Sequence, residues 1–487
     1  MNAAPVRAPE IDRQGTTWFN VTGPLSLEDV AGRFVILDFW TFCCINCMHV
    51  LPALKRIEED FPEDVVVIGV HTPKFFAERE ADNVTAALQR YDIRHPVIHD
   101  PNMTLWREYA VRAWPTLVFI DPAGYVLGQF AGEPDSEKLH RSISGLVRQA
   151  RDEDMLRPQA LDLVDRRHET GTLSFPGKIK PVPGRNAWAI ADAGHHQIVL
   201  VDEDGAVQTR YGSGRRGFVD GTARESCFAD PQGLTASEQA IFVADTGNHA
   251  LRRIDLADGA VTTLAGTGRR GRPLGSEAIT RETALASPWD LELHDDRLYV
   301  ANAGTHQLGV VDLAQKTVRR LAGTGAEALV DGEALDEAVL AQPSGLARDE
   351  TGRRLAFADS ETSAIRILDL DEGKVSTLVG AGLFEFGLQN GPLKHARFQH
   401  PLGLVWTAEG IVVADSYNRA VRLVDVEAGE VRSIEPGLTC LDPVCLRLGE
   451  PAGVVVRTDG RLLLSDTNNH RILLLDPNER TYITWLS

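Results

Sequence analysis

The chain has few cysteines and lacks any long hydrophobic run. It holds six cysteines among 487 residues, and no stretch approaches the roughly 20 apolar residues that span a bilayer. Its first residues, MNAAPVRAPEIDRQG, lack the apolar core of a Sec-type signal peptide. We therefore expect a cytoplasmic protein without membrane contact. In that reducing compartment, cysteines are more often catalytic, metal-binding or free than paired in structural disulfides.

The chain also lacks an excess of basic residues. It has 50 Lys and Arg against 69 Asp and Glu, which gives a net charge of -19. Nucleic acid and anionic membranes would be repelled by such a chain, so we expect neither as a partner. Its length suggests two to four domains, or one compact domain plus a repeat array. The sequence does not indicate an oligomeric state.

The first third of the chain alternates strands and helices. Residues 33 to 150 contain the strand runs RFVILDFW, DVVVIGV, TLVFIDP and YVLGQF, with helical stretches between the first three. This order predicts an α/β domain over 33–147 with parallel pairing and a final hairpin. Residues 1–32 are expected to form an N-terminal extension, and the charged segment 148–171 a linker.

Three of the six cysteines lie within five positions, in the stretch DFWTFCCINC. Cys44-Ile45-Asn46-Cys47 is a C-x-x-C where a strand ends and a helix starts, which is typical of a thioredoxin-like redox motif. The helix N-terminus would stabilise a thiolate on Cys44. That thiolate would attack a disulfide, and Cys47, one turn later, would resolve the mixed disulfide. Cys44 is therefore the predicted nucleophile and Cys47 the resolving thiol.

The remainder of the chain repeats a short signature. An Asp or Asn, four residues and an apolar strand recur six times at spacings of 51 to 57 residues, beginning at Asp192, Asp245, Asn302, Asp359, Asp415 and Asp466. Short β-runs separated by Gly, Asp and Asn replace the helical pattern here. Four strands per repeat at this period predict a six-bladed β-propeller over 172–487.

The repeat motifs carry a family resemblance. Asp245-Thr246-Gly247-Asn248-His249 and the copy at residues 466–470 resemble NHL repeats. Placed after a C-x-x-C domain, they make the chain resemble the NHL repeat-containing protein 2 family. The resemblance implies a thioredoxin-like domain followed by an NHL propeller. Animal members carry a further β-rich domain, which we expect to be absent here. NHL propellers bind protein or, when basic, RNA, so the net charge of -19 favours a protein partner.

The resemblance to thioredoxins also assigns supporting residues. Asp38 matches the buried carboxylate that takes the proton of the resolving thiol, and Trp40 matches the tryptophan that packs beneath the dithiol. Trp114-Pro115 matches the cis-proline segment that faces the cysteines and pairs with substrate. Cys43 occupies the place of a rim tryptophan and is a candidate accessory thiol. Ile45-Asn46 replaces the usual Gly-Pro, so the reduction potential cannot be read from the motif. The helix and HPVIHDP segment before Trp114 resemble redoxin relatives.

Other interpretations of the cysteines remain open. A zinc site could use Cys44 and Cys47, but it needs two more ligands, and the only other candidate pair is Cys440 and Cys445; we expect no metal and no cofactor. The three thiols could also be core packing, and Asp38 could cap the end of its strand. The motif of peroxide-reducing redoxins has a proline at the position of Leu37, so the sequence departs from that motif. A further alternative is a protein-interaction scaffold with a redox-weak domain.

The repeated polar residues of the propeller favour a structural role over catalysis. An aspartate or asparagine in every blade suits a turn that every blade needs. The histidine that follows in four blades, at 196, 249, 306 and 470, is predicted to pack on the next blade. Ser363 and Arg419 replace it in two blades, which a shared metal site would not tolerate. Cys227 is predicted to fill core or loop space, and Cys440 and Cys445 to be free thiols.

Overall fold

The computed structural model of the chain describes residues 5–157, 159–164, 171–434, 447–479 and 481–487. The chain divides into two compact units, Met1–Glu169 and Thr170–Ser487. The first is an α/β thioredoxin-like unit and the second is a six-bladed β-propeller. Cys440 and Cys445, predicted to be free thiols, lie outside the described residues.

The first unit is built on a seven-stranded sheet with the order β1-β7-β6-β3-β4-β5-β2. Its strands are β1 (Val6–Arg7), β2 (Thr17–Phe19), β3 (Phe34–Trp40), β4 (Val65–His71), β5 (Val97–His99), β6 (Thr116–Ile120) and β7 (Tyr125–Ala131). Its helices are α1 (Ile45–Asp60), α2 (Ala81–Arg90), α3 (Thr104–Glu108) and α4 (Ser136–Asp152), with a 3-10 turn at Ala77–Arg79. Strands β3, β4 and β5 run parallel, whereas β6 is antiparallel to β3 and forms the predicted hairpin with β7.

Both faces of this sheet are covered, which explains the continuous apolar run of β3. Apolar residues of α1 and α4 pack on one face, and α3 with the N-terminal residues Ala8 and Ile11 packs on the other. A strand buried on both faces reads as an unbroken hydrophobic run rather than an alternating one. Asp38 is the one charged residue in this run, and it lies in the middle of the unit.

The segments that flank the predicted domain also contribute to the first unit. Within residues 5–32, β1 pairs with β7 and β2 pairs with β5, so this segment supplies both edges of the sheet. The segment 148–171 begins with the last turn of α4, and Leu156 then joins the core beneath that helix. Arg157 donates its backbone N–H to the Gly32 carbonyl at 2.8 Å.

The second unit has six blades, and each blade is an antiparallel sheet of four consecutive strands. From inner to outer strand, the blades are: blade 1, Pro176–Pro181, Ala187–Asp192, Gln197–Asp202 and Val207–Tyr211; blade 2, Pro231–Ala236, Ala240–Asp245, Ala250–Asp255 and Val261–Ala265; blade 3, Pro288–His294, Arg297–Asn302, Gln307–Asp312 and Thr317–Ala322; blade 4, Pro343–Arg348, Arg354–Asp359, Ala364–Asp369 and Lys374–Val379; blade 5, Gly403–Thr407, Gly410–Asp415, Ala420–Asp425 and Glu430–Ser433; blade 6, Pro451–Val456, Leu462–Asp466, Arg471–Asp476 and Thr481–Leu486. Two-residue strands at Ala278–Ile279, Gly332–Glu333 and Gly391–Pro392 pair with the outer strands of blades 3, 4 and 5.

The turn between the second and third strands of each blade ties it to the next blade. His249 ends this turn in blade 2 with a left-handed backbone conformation. Its Nδ1 accepts a hydrogen bond from the backbone N–H of Ser287 in blade 3 at 3.0 Å. His306 does the same for Gln342. His470 of blade 6 accepts from Phe175 at 3.1 Å and so joins the last blade to the first. The histidines therefore pack on the next blade, as the repeats predict.

The repeated aspartate is buried in an ion pair. Asp359 pairs with Arg366 at 2.8 Å, and both side chains are fully buried. The same pair forms in blade 2, between Asp245 and Arg252, and in blade 5. Burial raises the pKa of Asp359, and the arginine opposes that rise. A buried ion pair that recurs from blade to blade meets a structural need of each repeat, which agrees with the structural role that the sequence favours.

Candidate functional site

The segments that carry the dithiol and the predicted proline continue from neighbouring strand ends, because β3 and β6 are antiparallel neighbours. Phe39 pairs with Thr116 in this register, so the end of β3 lies beside the start of β6. The chain after β3 carries the cysteines, and the residue before Thr116 is Pro115. The Trp114–Pro115 peptide bond is cis, as the sequence predicts. The Trp114 indole donates to Thr72 Oγ1 at 2.7 Å, which orients the side chain that precedes the proline.

The C-x-x-C motif occupies the first turn of α1. Cys44 is the N-cap residue, with extended backbone angles, and its Sγ accepts a hydrogen bond from the Cys47 backbone N–H at 3.3 Å. Side chains at an N-cap satisfy amides that the helix itself leaves unbonded. The contact favours negative charge on sulfur, because the helix N-terminus is the positive end of the dipole. Cys44 is only partly buried and is open to a reaction partner.

The second cysteine lies in a different environment, one turn into the helix. The Cys47 side chain is buried, with 1% of its surface exposed. Burial raises the pKa of the Cys47 thiol well above its ordinary value, and the neighbouring Cys44 raises it further. Asp38 contributes in the same direction because a carboxylate repels a thiolate. These surroundings therefore favour the neutral thiol of Cys47, whereas Cys44 is only partly buried.

Asp38 is a buried carboxyl group without a hydrogen-bond partner among the described residues. It is 1% exposed, and both of its oxygens lack a donor. Burial raises the pKa of Asp38 to about 7, and His95 opposes this rise. Strand-end capping, the alternative that the sequence leaves open, would require backbone donors, and the described residues supply none. A buried carboxyl group that makes no bonds is costly to fold.

A histidine next to Asp38 links it to the surface. Asp38 pairs with Gly69 across β3 and β4, and a side chain at Gly69 would meet Trp40 Nε1 at 3.0 Å and His95 Nε2 at 3.3 Å. The His95 ring therefore lies beside the same strand position as Asp38. Its other nitrogen, Nδ1, is 3.2 Å from Glu58 Oε2, and Glu58 is partly exposed. Burial lowers the pKa of His95, and Glu58 raises it, with a net upward direction.

The backbone of Cys43 contacts a buried glutamate. Its backbone N–H donates to Glu78 Oε1 at 3.0 Å, and its Sγ is 3.8 Å from the Thr41 hydroxyl oxygen. Thr41 also donates to Glu78 Oε1, at 2.5 Å. The other carboxylate oxygen of Glu78 accepts the backbone N–H groups of Lys74 and Phe75. Burial raises the pKa of Glu78, and these donors oppose that rise.

Glu78 and His95 are site residues that the sequence does not reveal. Glu78 lies in the 3-10 turn after β4, and His95 precedes β5, so both are 30 or more residues from the cysteines along the chain. In the sequence, each is only a polar residue among apolar neighbours, and this pattern is too common to identify a site. Their positions follow from β3 and β4 being parallel neighbours.

The described residues contain no group of three or more His, Cys, Asp and Glu side chains that could hold a metal ion. Two of the four cysteines that the zinc alternative requires, Cys440 and Cys445, fall outside this part of the chain. Cys227 is buried in the propeller, 3.2 Å from the Ser213 hydroxyl oxygen. Within the same described ranges, no helix is long and apolar enough to cross a membrane.

Comparisons with known proteins agree with this architecture. The thioredoxin-like family matches residues 32–126, and the NHL repeat family matches residues 448–473. NHL repeat-containing protein 2 of Bos taurus is 36% identical over 510 residues, covering 96% of this chain and 70% of that protein. Suppressor of quenching 1, chloroplastic, of Arabidopsis thaliana is 36% identical over 485 residues, covering 95% of this chain and 46% of that protein. Protein DipZ of Mycobacterium bovis is 32% identical over 144 residues, which are 29% of this chain and 21% of that protein. The chain belongs to the NHL repeat-containing protein 2 family.

Proposed function

We propose that the chain is a thiol–disulfide oxidoreductase whose propeller docks or selects a protein partner. The observation that carries the proposal is the unequal setting of the two thiols. Cys44 is partly buried at the start of α1 and accepts the Cys47 N–H, whereas Cys47 is buried. Nucleophilic cysteines are accessible and stabilised as thiolates, and resolving cysteines are shielded until the mixed disulfide forms.

The reaction begins with the Cys44 thiolate. It attacks one sulfur of a substrate disulfide, which forms a Cys44–substrate disulfide and releases the other substrate sulfur as a thiolate. Cys47 then transfers its proton to the Asp38 carboxylate and attacks Cys44 Sγ. The Cys44–Cys47 disulfide forms, and the substrate leaves with both of its sulfurs reduced. A dithiol reductant returns two electrons to the protein and restores the starting state.

Proton transfer from Cys47 to Asp38 suits the environment of both groups. Each is buried, each is raised in pKa by that burial, and their charges disfavour one another. A single negative charge shared between them is therefore better tolerated than two. His95 lies beside the strand position of Asp38 and contacts the partly exposed Glu58, which offers a route for the proton to leave.

A cytoplasmic location and a protein substrate are part of the proposal. The low cysteine content is compatible with a reducing compartment. The net charge of -19 supports a protein partner rather than nucleic acid or an anionic membrane. Fractionation of the source cell with an antibody to the chain tests the location.

Reduction of insulin disulfides by dithiothreitol tests the activity. We expect the full chain to accelerate the reaction and Cys44→Ser to abolish the acceleration. Cys43→Ser is the matched control, since its sulfur is 3.8 Å from the Thr41 hydroxyl oxygen and outside the N-cap, so it should retain most of the rate. Equal rates for wild type and Cys44→Ser would instead favour an interaction scaffold. Thiol-dependent turnover of hydrogen peroxide would favour a peroxidase-like redoxin.

A second experiment identifies the partner. Cys47→Ser cannot resolve the mixed disulfide, so it should accumulate covalent complexes in the source cell. The double variant with Cys44→Ser should lose them. Complexes that persist without Cys44 would show that another thiol captures the partner and would contradict the assignment.

A further inference from the structure

The propeller carries an uneven set of loops along one rim. Four loops join the outer strand of a blade to the inner strand of the next, and each begins with G-x-G, at residues 212, 266, 323 and 380. The two positions that follow differ sharply among them. They are Arg-Arg at 215–216 and 269–270, Ala-Glu at 326–327, and Leu-Phe at 383–384. These two positions differ between loops although the blades around them repeat, so they can take part in recognition of a partner.

The first two loops are anchored to the blade that follows each of them. In the first loop, the Gly217 carbonyl accepts from Asn248 Nδ2 at 2.7 Å, and the Val219 carbonyl accepts from the buried Arg252 at 2.8 Å. In the second loop, the Leu274 backbone N–H donates to Gln307 Oε1 at 2.7 Å. Asn248, Arg252 and Gln307 belong to the turns and third strands of blades 2 and 3. The loop tips are therefore held in place by the framework.

The tips of these loops form one continuous surface. A side chain at Gly268 of the second loop would meet the Phe218 ring of the first at 2.6 Å, so the two loops touch. Phe218 also lies 5.0 Å from the Arg252 guanidinium, which fixes its ring. Pro273 of the second loop in turn lies against Gly325 of the third. We call the segments 212–219 and 266–275 together the arginine rim.

The arginine rim is strongly basic in an acidic protein. It holds five arginines and no acidic residue, whereas the chain as a whole has a net charge of -19. All five side chains belong to exposed residues. Arg216 pairs with Asp230, but Arg215, Arg269 and Arg272 have no ion-pair partner within the described part of the chain. Surface charge of one sign left uncompensated attracts a partner of the opposite sign.

Apolar side chains lie among these arginines. Phe218 is 38% exposed and Val219 is 47% exposed, although large hydrophobic residues are usually covered. Aromatic residues and arginine are the types enriched at the centres of protein interfaces. The rim is bounded by the third loop, which carries Glu327 and Asp331. A long phosphate chain would meet these acidic groups, whereas a short acidic segment can remain on the first two loops.

We propose that the arginine rim binds a short acidic segment of a protein partner, with apolar residues that pack on Phe218 and Val219. The proposal rests on the proposed docking role of the propeller and adds the surface and the chemistry of the partner. Arginine forks bind carboxylates in two-point contacts, which gives orientation as well as attraction. The contact involves no covalent step.

The test uses the full chain and a fluorescein-labelled peptide of twelve residues, in which glutamate alternates with leucine or phenylalanine. Fluorescence anisotropy should show binding that weakens as salt rises above about 100 mM, because exposed charges are screened. A peptide with lysine in place of glutamate should not bind. Charge reversal at Arg215, Arg216, Arg269 and Arg270 to glutamate should weaken binding by about ten-fold or more.

The matched control reverses two exposed arginines elsewhere on the propeller, Arg319 and Arg432, and should leave binding unchanged. Circular dichroism melting establishes that each variant is folded. A twelve-nucleotide oligouridine serves as the competing class of ligand. Equal or tighter binding of this RNA, no binding of the acidic peptide, or binding that survives the four-arginine reversal overturns the proposal.

The redox proposal is tested separately on the same proteins. Cys44→Ser should bind the acidic peptide as the wild type does, since the arginine rim is intact. The four-arginine variant should reduce insulin at the wild-type rate if insulin does not use the rim. In the wild-type chain, absence of peptide binding together with normal insulin reduction therefore contradicts the rim alone, and normal peptide binding without insulin reduction contradicts the oxidoreductase alone.

Discussion

Replacing Asp38 by asparagine should stabilise the first unit, and only above the pH at which the carboxyl group ionises. Asp38 is buried in β3 without a hydrogen-bond partner among the described residues. Asparagine has nearly the same shape and carries no charge. The variant therefore removes the cost of burying a carboxylate and leaves the packing intact.

The magnitude follows from the pKa of Asp38, which burial raises from 3.8 to about 7. One pKa unit corresponds to about 1.4 kcal/mol, so the ionised group costs about 4 kcal/mol of folding free energy. Because the folded state holds the proton more tightly than the unfolded state, stability falls as pH rises from about 4 to about 7 and is then constant. The gain from Asp38→Asn should be complete above about pH 7 and absent near pH 4.

Hydrogen exchange in urea measures this gain within the full chain. The peptide that contains β3, residues 34–40, reports unfolding of the first unit without interference from the propeller. At pH 8 the urea midpoint of this peptide should be higher for Asp38→Asn than for wild type, and at pH 4.5 the difference should fall to about a quarter of its value at pH 8. A gain that is equal at both pH values, or a loss at pH 8, would refute the reasoning.

Two further measurements distinguish Asp38 from any other buried aspartate. Asp64 is also buried, but its carboxylate pairs with Arg151, so Asp64→Asn should lose stability rather than gain it. Asp38→Asn should also slow insulin reduction, because Cys47 loses its proton acceptor. Gain of stability together with loss of rate is typical of a group retained for function.

Two predictions concern the propeller. Arg366→Met leaves the buried Asp359 carboxylate unpaired, and we expect a loss of about 3–5 kcal/mol of stability, measured as a lower melting temperature of the second unit. The control Arg353→Met removes an exposed ion pair and should change the melting temperature little. His470→Ala removes the acceptor of the Phe175 N–H where blade 6 meets blade 1, and should cost about 1–3 kcal/mol. A melting temperature unchanged by either Arg366→Met or His470→Ala would contradict the structural role assigned to that residue.

The architecture could be predicted because each unit has patterns that are visible in short stretches of the sequence. The alternation of strands and helices, the C-x-x-C at a strand end, and a signature repeated six times are all visible within short windows of sequence. The edge strands β1 and β2 could not be predicted in this way. They are two and three residues long, and pairing with β7 and β5 rather than an internal pattern makes them strands.

The surroundings of the dithiol lie beyond local patterns for the same reason. Cys44 and Cys47 form a motif that is visible in the sequence. Glu78 contacts Cys43 because the turn after β4 places it there, and His95 lies beside Gly69 because of the connection between α2 and β5. Such contacts are set by which strands are neighbours in the sheet. The same sheet order places the start of β6, which follows Pro115, beside the end of β3, and the resemblance to thioredoxins predicted this proline where the spacing could not.

Repetition in the propeller separates the framework from the features that are particular to this chain. Two residues after the proline at 231 or 401, a side chain at Gly233 or Gly403 would meet a carbonyl oxygen of the next blade at 2.4 Å, so glycine avoids a clash in these two blades. Blades 1 and 3 carry Lys178 and Asp290 instead. The Lys178 ammonium donates to the Ala452 carbonyl at 2.7 Å, and Asp290 Oδ2 accepts the Leu346 N–H at 3.0 Å.

These two departures are opposite in charge and act on each other. Burial raises the pKa of Asp290, and Lys178 and then Lys180 oppose that rise. Lys180 in turn pairs with Glu292 at 3.1 Å, so blades 1 and 3 are joined by charge as well as by the ring. On the inner strands, the residues that depart from the repeat are charges of opposite sign, and their attraction stabilises the framework of the propeller. On the arginine rim, Arg215, Arg269 and Arg272 lack an ion-pair partner among the described residues, and that difference is the physical reason to look for a partner at the rim and not in the channel.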